Sequence, residues 1–480
     1  VSLSQKTISG LFWTFCQQFG VQAINFIVSI VLARLLMPED FGLIGMLSIF
    51  ISLGGTLVDS GLTSSLIRTV NPDQRDFSTV FFINLAASIV IYIILFFCAP
   101  LIADFYNKSI LIDMIRVYSL TFIINAFVSV QGIRLSKEMN FKLLMTIRIP
   151  SIIGGGILGV VLAFNGFGVW SLVYMNLFQS LLSAVQLWLR SGWRPSILFD
   201  KERYITHFNF GYKLTLSGIL EVIYINVYNI IIGKYFSAAQ LGFYTRAQSL
   251  KQLPVDNISK ALNKVTYPLF SSIQDNDAKL KMAYQKLMLQ VIFWIAPILV
   301  LLAIIAEPLF RFLIGEKWLP AVPYFQILCA VGIMYPLNSY NLNILKVKGR
   351  SDVFLKLEII KKVIITIGIV CAVPFGIYGL LYFQLIFSFI AFFINTWYSG
   401  RMINYYVGEQ LKDILPEILL ALIVGVVIWT VDNHYFKPNV SIDVIRISIV
   451  GILYFGIYLS ISYLSKMPAT VDFKKLVLKR

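Results

Sequence analysis

Histidine and charge are what this chain has least of. Its 480 residues include two histidines, His207 and His434, which leaves almost no material for a histidine-based metal or general-base site. Charged residues make up 13%, about half the ~25% of ordinary soluble domains. Hydrophobic residues reach 58% and mean hydropathy is +0.79. One soluble core stops growing at about 250–300 residues, so water cannot be the solvent for this much apolar surface. That excludes a soluble enzyme and a disordered chain. The four cysteines, Cys16, Cys98, Cys329 and Cys371, sit inside apolar runs without metal-ligand spacing. They read as packing residues and exclude a disulfide scaffold. Catalytic signatures are missing as well. No G-x-x-x-x-G-K-[ST] occurs, and Gly154-Gly155-Gly156 leads into an apolar run, so the chain cannot itself hydrolyse ATP. There is no H-E-x-x-H and no G-x-S-x-G.

What is present is hydrocarbon-spanning length. A helix needs about 20 apolar residues to cross ~30 Å. About fourteen such runs occur, near 11–33, 42–66, 78–99, 113–133, 144–164, 167–189, 210–233, 241–268, 284–306, 321–344, 354–375, 377–399, 414–431 and 444–464. The opening VSLSQKTISG has no signal-peptide cleavage pattern, so the first run is expected to be a span. The eighth is the most polar and contains Pro254. Basic residues fall in the gaps between runs rather than on one soluble face, so the net charge of +16 points to membrane topology and not to nucleic acid. One set of connections, with the tail, holds about 22 Lys and Arg and the other about six. Both termini are therefore expected to be cytoplasmic. The outer connections are short, and the longest, near 306–320 and 432–443, offer few carboxylates, such as Asp432 and Asp443. A membrane glycosyltransferase or polymerase would need more.

The chain also repeats itself. At an offset of 208 residues, Phe167-Gly168-Val169-Trp170-Ser171-Leu172-Val173-Tyr174 aligns with Phe375-Gly376-Ile377-Tyr378-Gly379-Leu380-Leu381-Tyr382, and Pro100-Leu101 with Pro308-Leu309. At an offset of 200, Arg34 meets Lys234 and Phe41-Gly42 meets Leu241-Gly242. Spans one to six thus resemble spans seven to twelve. An even number per half gives both halves one orientation, about an axis along the membrane normal. The domains expected are 1–200, 201–405 and a C-terminal 406–480 with two more helices and a basic tail.

Polar residues inside spans normally face a bundle or a wet cavity. In span one, Thr14, Gln18, Gln22, Asn25 and Ser29 share a helical face. In span seven, Lys213, Ser217, Glu221, Tyr224 and Tyr228 do the same. Hydrogen-bonding glue between helices is the alternative. In span eight, Arg246, Asn257, Lys260 and Lys264 fall within roughly 60° on an ideal wheel, with Lys251 and Asp256 off that stripe. A ladder of cations suits an anionic passenger. Snorkelling is the alternative for Lys260 and Lys264, and an ion pair with Glu221 or Asp256 for Lys251. Glu221 is either a structural partner of a cation or a proton carrier, and Asp59 either a local contact or a coupling group.

Leu32-Ala33-Arg34-Leu35-Leu36-Met37-Pro38-Glu39-Asp40-Phe41-Gly42-Leu43, followed by Asp59-Ser60-Gly61-Leu62, resembles the first two spans of the Wzx-type bacterial polysaccharide flippases. Leu241-Gly242-Phe243-Tyr244-Thr245-Arg246-Ala247 and Gly315-Glu316-Lys317-Trp318 are similar to its colanic-acid-exporter branch. The resemblance covers roughly residues 5–400. It implies the multidrug/oligosaccharidyl-lipid/polysaccharide exporter superfamily, an all-α integral membrane fold of two six-helix lobes in a V with two further C-terminal helices, and a cavity lined by spans 1, 2, 7 and 8. Related lipid II flippases carry arginines on spans one and two for a pyrophosphate; here span one is neutral within its body and the cations lie on span eight.

The expectation is a flippase of the bacterial inner membrane for undecaprenyl-pyrophosphate-linked oligosaccharide repeat units. Arg246, Lys251, Lys260 and Lys264 would hold pyrophosphate or acidic sugars. Gln18, Gln22, Asn25, Tyr224 and Tyr228 would contact hydroxyls, the tyrosines also stacking on sugar faces. Glu221 and Asp59 would couple or gate. No cofactor or metal is called for, although a proton or sodium ion could drive transport. Partners would be the lipid-linked oligosaccharide, membrane lipids, and a polysaccharide polymerase with its chain-length machinery. A proton- or sodium-coupled drug exporter, or a membrane glycosyltransferase or polymerase, is the competing reading.

Overall fold

Long apolar segments in hydrocarbon must satisfy every backbone N–H and C=O internally, and a helix does so within one segment. The computed structural model describes residues 3–59 and 61–471, with the side chains of 3–12, 14, 15, 260–265 and 267 outside the described set. No strand occurs among the described residues.

The chain forms two compact units, Val1–Gly242 and Phe243–Arg480. The first contains α1 (Leu3–Leu35), α2 (Pro38–Asp59), α3 (Leu62–Arg68), α4 (Gln74–Tyr106), α5 (Leu111–Tyr118), α6 (Leu120–Lys137), α7 (Phe141–Phe164), α8 (Val169–Arg190), α9 (Lys201–Ile225) and α10 (Val227–Tyr235). Helix α11 (Ala238–Ser272) begins in the first unit and continues into the second. There follow α12 (Asp277–Ile304), α13 (Ala306–Ile314), α14 (Val322–Val347), α15 (Ser351–Ala372), α16 (Gly376–Met402), α17 (Val407–Val431), the short α18 (Lys437–Asn439) and α19 (Asp443–Leu464). Helices α9 and α10, the seventh span of the sequence, pack on α2, α3 and α4 and fall in the first unit. Helices α17 and α19 pack on α12 and on each other, within the second.

Helix starts follow from local chemistry. Pro38 opens α2, where its missing N–H costs nothing, and the Asp40 carboxylate accepts from the Met37 N–H at 2.9 Å. Asp73 and Asp76 form a reciprocal capping box at α4. Asn140, Asp200 and Asn276 cap α7, α9 and α12.

The apolar surface is arranged for lipid. Phe97 and Leu101 of α4 are 74% and 69% exposed, a heavy cost in water at ~25 cal/mol per Å². Inside, α3, α4 and α6 share Leu62, Leu66, Phe81 and Val130 with Trp193 from the segment after α8. In the second unit α12 and α14 are the most buried long helices.

Among the described residues, 11 helical segments are long and apolar enough to cross a membrane, or 12 if the bent pair Lys201–Ile225 and Val227–Tyr235 is one span. The physical reasons for the difference from about fourteen apolar runs are specific. Ser351–Met402 counts as one 52-residue segment although it contains both α15 and α16. The seventh run is broken, with a 46° bend after Ile225. The eighth, α11, is too polar to pass and contains Pro254 and Pro268.

Candidate substrate-binding site

On α1, Gln18 and Gln22 are half-buried and Asn25 is exposed; Thr14 lies outside the described side chains. Helix α1 packs on α7, where Ile149 approaches Gly20 and Val28 lies against Gly156. On a wheel of 100° per residue, Gly20 falls about 160° from Gln18 and Val28 about 60° from Asn25, so the α7 contact lies to one side of the Gln18–Gln22–Asn25 stripe.

The face expected along span seven is interrupted. Lys213 and Glu221 are exposed on α9 and Tyr224 is half-buried. Lys213 stands over the Tyr212 ring with Nζ 5.8 Å from its centroid. Tyr228 lies beyond the bend, on α10, and is 6% exposed, so it belongs to the packing of the first unit and not to the open face. Asn226 occupies the break. Its amide nitrogen donates to the Val222 carbonyl at 2.9 Å, and its oxygen accepts from Asn229 at 3.3 Å and from Ser48 of α2 at 3.5 Å. The backbone stays bonded through the break, Asn226 N–H to the Val222 carbonyl at 3.1 Å and Ile230 N–H to the Asn226 carbonyl at 3.0 Å, while the Asn226 side chain ties the break to Asn229 and α2. Asn226 was not singled out from the sequence; two asparagines three residues apart, Asn226 and Asn229, within the apolar run Ile225–Ile232 were the available signal.

The cytoplasm-expected end of α9 is fastened by charge. Arg203 forms a bidentate pair with Asp73, both N···O distances 2.9 Å, and a further contact to Asp76. His207, 2% exposed, places Nε2 3.4 Å from the Asp76 carboxylate and Nδ1 2.8 Å from the Ser65 hydroxyl. That geometry fits an imidazole donating from Nε2 and accepting at Nδ1. Next to it, Gly61 sits at φ +64 and a Cβ there would lie 2.5 Å from the Gly211 carbonyl oxygen. The Asp59-Ser60-Gly61-Leu62 motif therefore brings α9 against the start of α3; Ser60 itself lies outside the described residues.

Asp59, at the end of α2, lines a cavity within the first unit, and its carboxylate accepts from the Thr63 hydroxyl. No cation pairs with it among the described residues.

On α11, Arg246 and Asn257 are half-buried. Lys251 is 3% exposed: its ammonium donates to Gln252 Oε1 at 3.2 Å, Gln252 in turn donates to Asp256, and its methylenes cover Gly332 of α14. Lys251 is thus folded into the second unit while Arg246 retains exposure, and the cations do not share one environment. Lys260 and Lys264 lie outside the described side chains.

Long apolar helices that carry exposed amides and charges define a multi-pass membrane protein with polar surfaces inside its spans. The fold matches that of the lipid II flippase MurJ in its inward closed conformation, with a TM-score of 0.73 at 15% identity over 95% of this chain and 99% of the other. In class it is a multi-pass, all-helical membrane protein with that fold. Residues 31–323 match the family described as polysaccharide biosynthesis protein, and the chain belongs to that family. It is 25% identical over 445 residues to the lipopolysaccharide biosynthesis protein WzxC of Escherichia coli K12, 89% of each chain. It is 24% identical over 341 residues to the succinoglycan biosynthesis transport protein ExoT of Rhizobium meliloti, 71% of this chain and 69% of the other. The resemblance seen in the sequence motifs is borne out.

Proposed function

We propose that the chain is a flippase that carries undecaprenyl-pyrophosphate-linked oligosaccharide repeat units across the bacterial inner membrane by alternating access, for surface polysaccharide biosynthesis. The observation that carries this reading is the set of polar residues held at exposed positions on membrane-length helices, Asn25 on α1 with Lys213 and Glu221 on α9, in a member of a polysaccharide biosynthesis family. Polar groups placed there are disfavoured against lipid and suit a hydrated, hydroxyl-rich passenger.

In this reading Arg246, Lys251, Lys260 and Lys264 hold the pyrophosphate or acidic sugars, with Arg246 the most accessible described member. Gln18, Gln22, Asn25 and Tyr224 meet hydroxyls. Glu221 is the acid available for proton or sodium coupling, and Asp59 for gating or a proton. The architecture proposed is about fourteen spans, two six-helix lobes related by a parallel repeat plus two C-terminal helices, with both termini cytoplasmic. Support for the repeat comes from two helix starts 200 residues apart. The Met37 N–H is back-bonded by Asp40, and the Ser237 N–H by Gln240 at 3.1 Å, with the Gln240 N–H returning a bond to the Ser237 hydroxyl. A polymerase and chain-length machinery would consume the product.

The test is to extract lipid-linked oligosaccharides from a deletion strain and determine which membrane face they occupy. Complete units should accumulate on the cytoplasmic face and be released by the intact gene but not by Arg246→Ala. Normal translocation in the deletion strain, with no redundant flippase, would refute transport. Full rescue by a normally inserted Arg246→Ala protein would remove the cationic ladder from the mechanism.

A further inference from the structure

Four helices of the first unit, α2, α4, α6 and α8, with the end of α5, line an open-sided cavity of about 420 Å³. Its size falls among small-molecule sites, which run from about 300 to 1,000 Å³. Its wall is unusual for the interior of a membrane unit. Asp59, Asn84, Asn125, Ser129 and Asn176 all reach it, and the Phe122 ring supplies an apolar face. Asn84 is 1% exposed; its nitrogen donates to the Ser129 hydroxyl at 3.2 Å, while its side-chain oxygen is buried without any hydrogen-bond partner. The Asn176 nitrogen is held by the Leu172 carbonyl at 2.8 Å. The Asn125 amide has no side-chain hydrogen bond among the described residues.

We propose that this cavity is a saccharide subsite that takes one pyranose ring. The proposal rests on the reading of the chain as a carrier of glycans and locates a contact for the sugar apart from the cationic helix α11. Hydroxyls both donate and accept, and the wall offers both: an acceptor at the Asp59 carboxylate, and a donor and an acceptor at the Asn125 amide. The largely buried Phe122 side chain adds an apolar part to the wall, which suits the C–H groups of a sugar. A bare cation fits less well. It needs several oxygens closed to about 2.3–2.6 Å, whereas here one carboxylate faces an open space, and no cluster of three His, Cys, Asp or Glu side chains able to hold a metal exists among the described residues.

Gly55 supplies a clean means of filling the cavity. It lies in α2 on the cavity wall, and a Cβ added there meets nothing within 4 Å. Gly55→Leu therefore occupies the space without a clash and favours the helix. The experiment uses the full chain in lipid nanodiscs and saturation-transfer NMR with methyl β-galactoside, methyl N-acetyl-β-glucosaminide and methyl β-glucoside as probes. At least one glycoside should receive saturation from the wild type. The signal should be lost in Gly55→Leu and weakened about 3–10-fold in Asn125→Leu, the size of one lost hydrogen bond, while Asp59→Asn keeps part of it. Absence of signal with every glycoside, or equal binding by Gly55→Leu of unchanged melting temperature, overturns the proposal. Stabilisation by sodium over choline that vanishes in Asp59→Asn, without any glycoside signal, overturns it in favour of a cation. The transport reading fails separately. Glycoside binding with normal translocation in the deletion strain would refute the flippase and keep the subsite, whereas trapped units fully released by Gly55→Leu would refute the subsite and keep the flippase.

Discussion

Asp76 stands at the start of a 33-residue apolar helix, 4% exposed, and its partners come from the cap of its own helix and from α9. Its own Asp73 backbone N–H, the Arg203 guanidinium and the His207 imidazole all address the one carboxylate. Removing one member of a fully buried ion pair costs about 3–5 kcal/mol; Arg203 keeps about a third of its side chain in solvent, so the cost of Asp76→Ala should be nearer about 1–3 kcal/mol. The detergent-solubilised variant should melt several degrees lower, and an unchanged melting curve would show that the cluster is ornamental. A second carboxylate gives a signed pH effect. Glu307, on the short α13 outside the spans, is held below its ordinary value near 4.5 chiefly by the hydrogen bond from Lys437, with Arg311 adding to it. A carboxyl with a lowered folded pKa contributes stability above its ordinary value and loses it as pH falls through the lowered one. Melting temperature should therefore drop more steeply below about pH 4.5 in the wild type than in Glu307→Gln.

At the scale of elements, the most specific contact is backbone on backbone. A Cβ on Gly42 would lie 1.8 Å from the Ala238 carbonyl oxygen, and one on Gly242 would lie 1.9 Å from that of Pro38. The starts of α2 and α11 cross with no side chain between them. Gly42→Ala and Gly242→Ala should each push the two helices apart and lower the yield of monodisperse protein by size exclusion. The double variant should be little worse than either single, because one displacement relieves both clashes. Strictly additive losses would mean that the glycines act independently. These glycines are the pair aligned at an offset of 200, so the sequence already held the contact without revealing that they touch. Helix identity was similarly legible, since apolar length alone dictates a helix in hydrocarbon. The polar face of α1 was legible because 3.6-residue periodicity continues through an unbroken helix. The face of span seven was not, because Asn226 ends that periodicity and Tyr228 turns into the packing. Asn84, Asn125 and Asn176 were invisible for another reason: they lie on three different helices, and only their tertiary packing places them on one cavity.

For the whole molecule, topology turns on α11, the helix whose polarity keeps it out of the count of apolar spans. If α11 crosses, the connection at Asp275 lies on the same side as Asn71, and Lys279, Lys346, Lys348 and Arg350 are cytoplasmic. If it does not, every later connection is inverted and those cations face outwards, against the positive-inside rule. The charge distribution therefore predicts that α11 spans despite its composition. The described residues contain four free cysteines, Cys16, Cys98, Cys329 and Cys371, whose replacement gives a clean background for single-cysteine labelling. Asn71, Asn107, Asp275 and Glu316 are exposed in connections and serve as reporters. A membrane-impermeant maleimide applied to intact spheroplasts should label Asn107→Cys and Glu316→Cys, and should reach Asn71→Cys and Asp275→Cys only after lysis. Labelling of Asp275→Cys from outside, with Asn71→Cys still protected, would mean that α11 does not cross. The last spans would then be inverted, and Arg246 would lose the transmembrane setting in which it can meet a passenger.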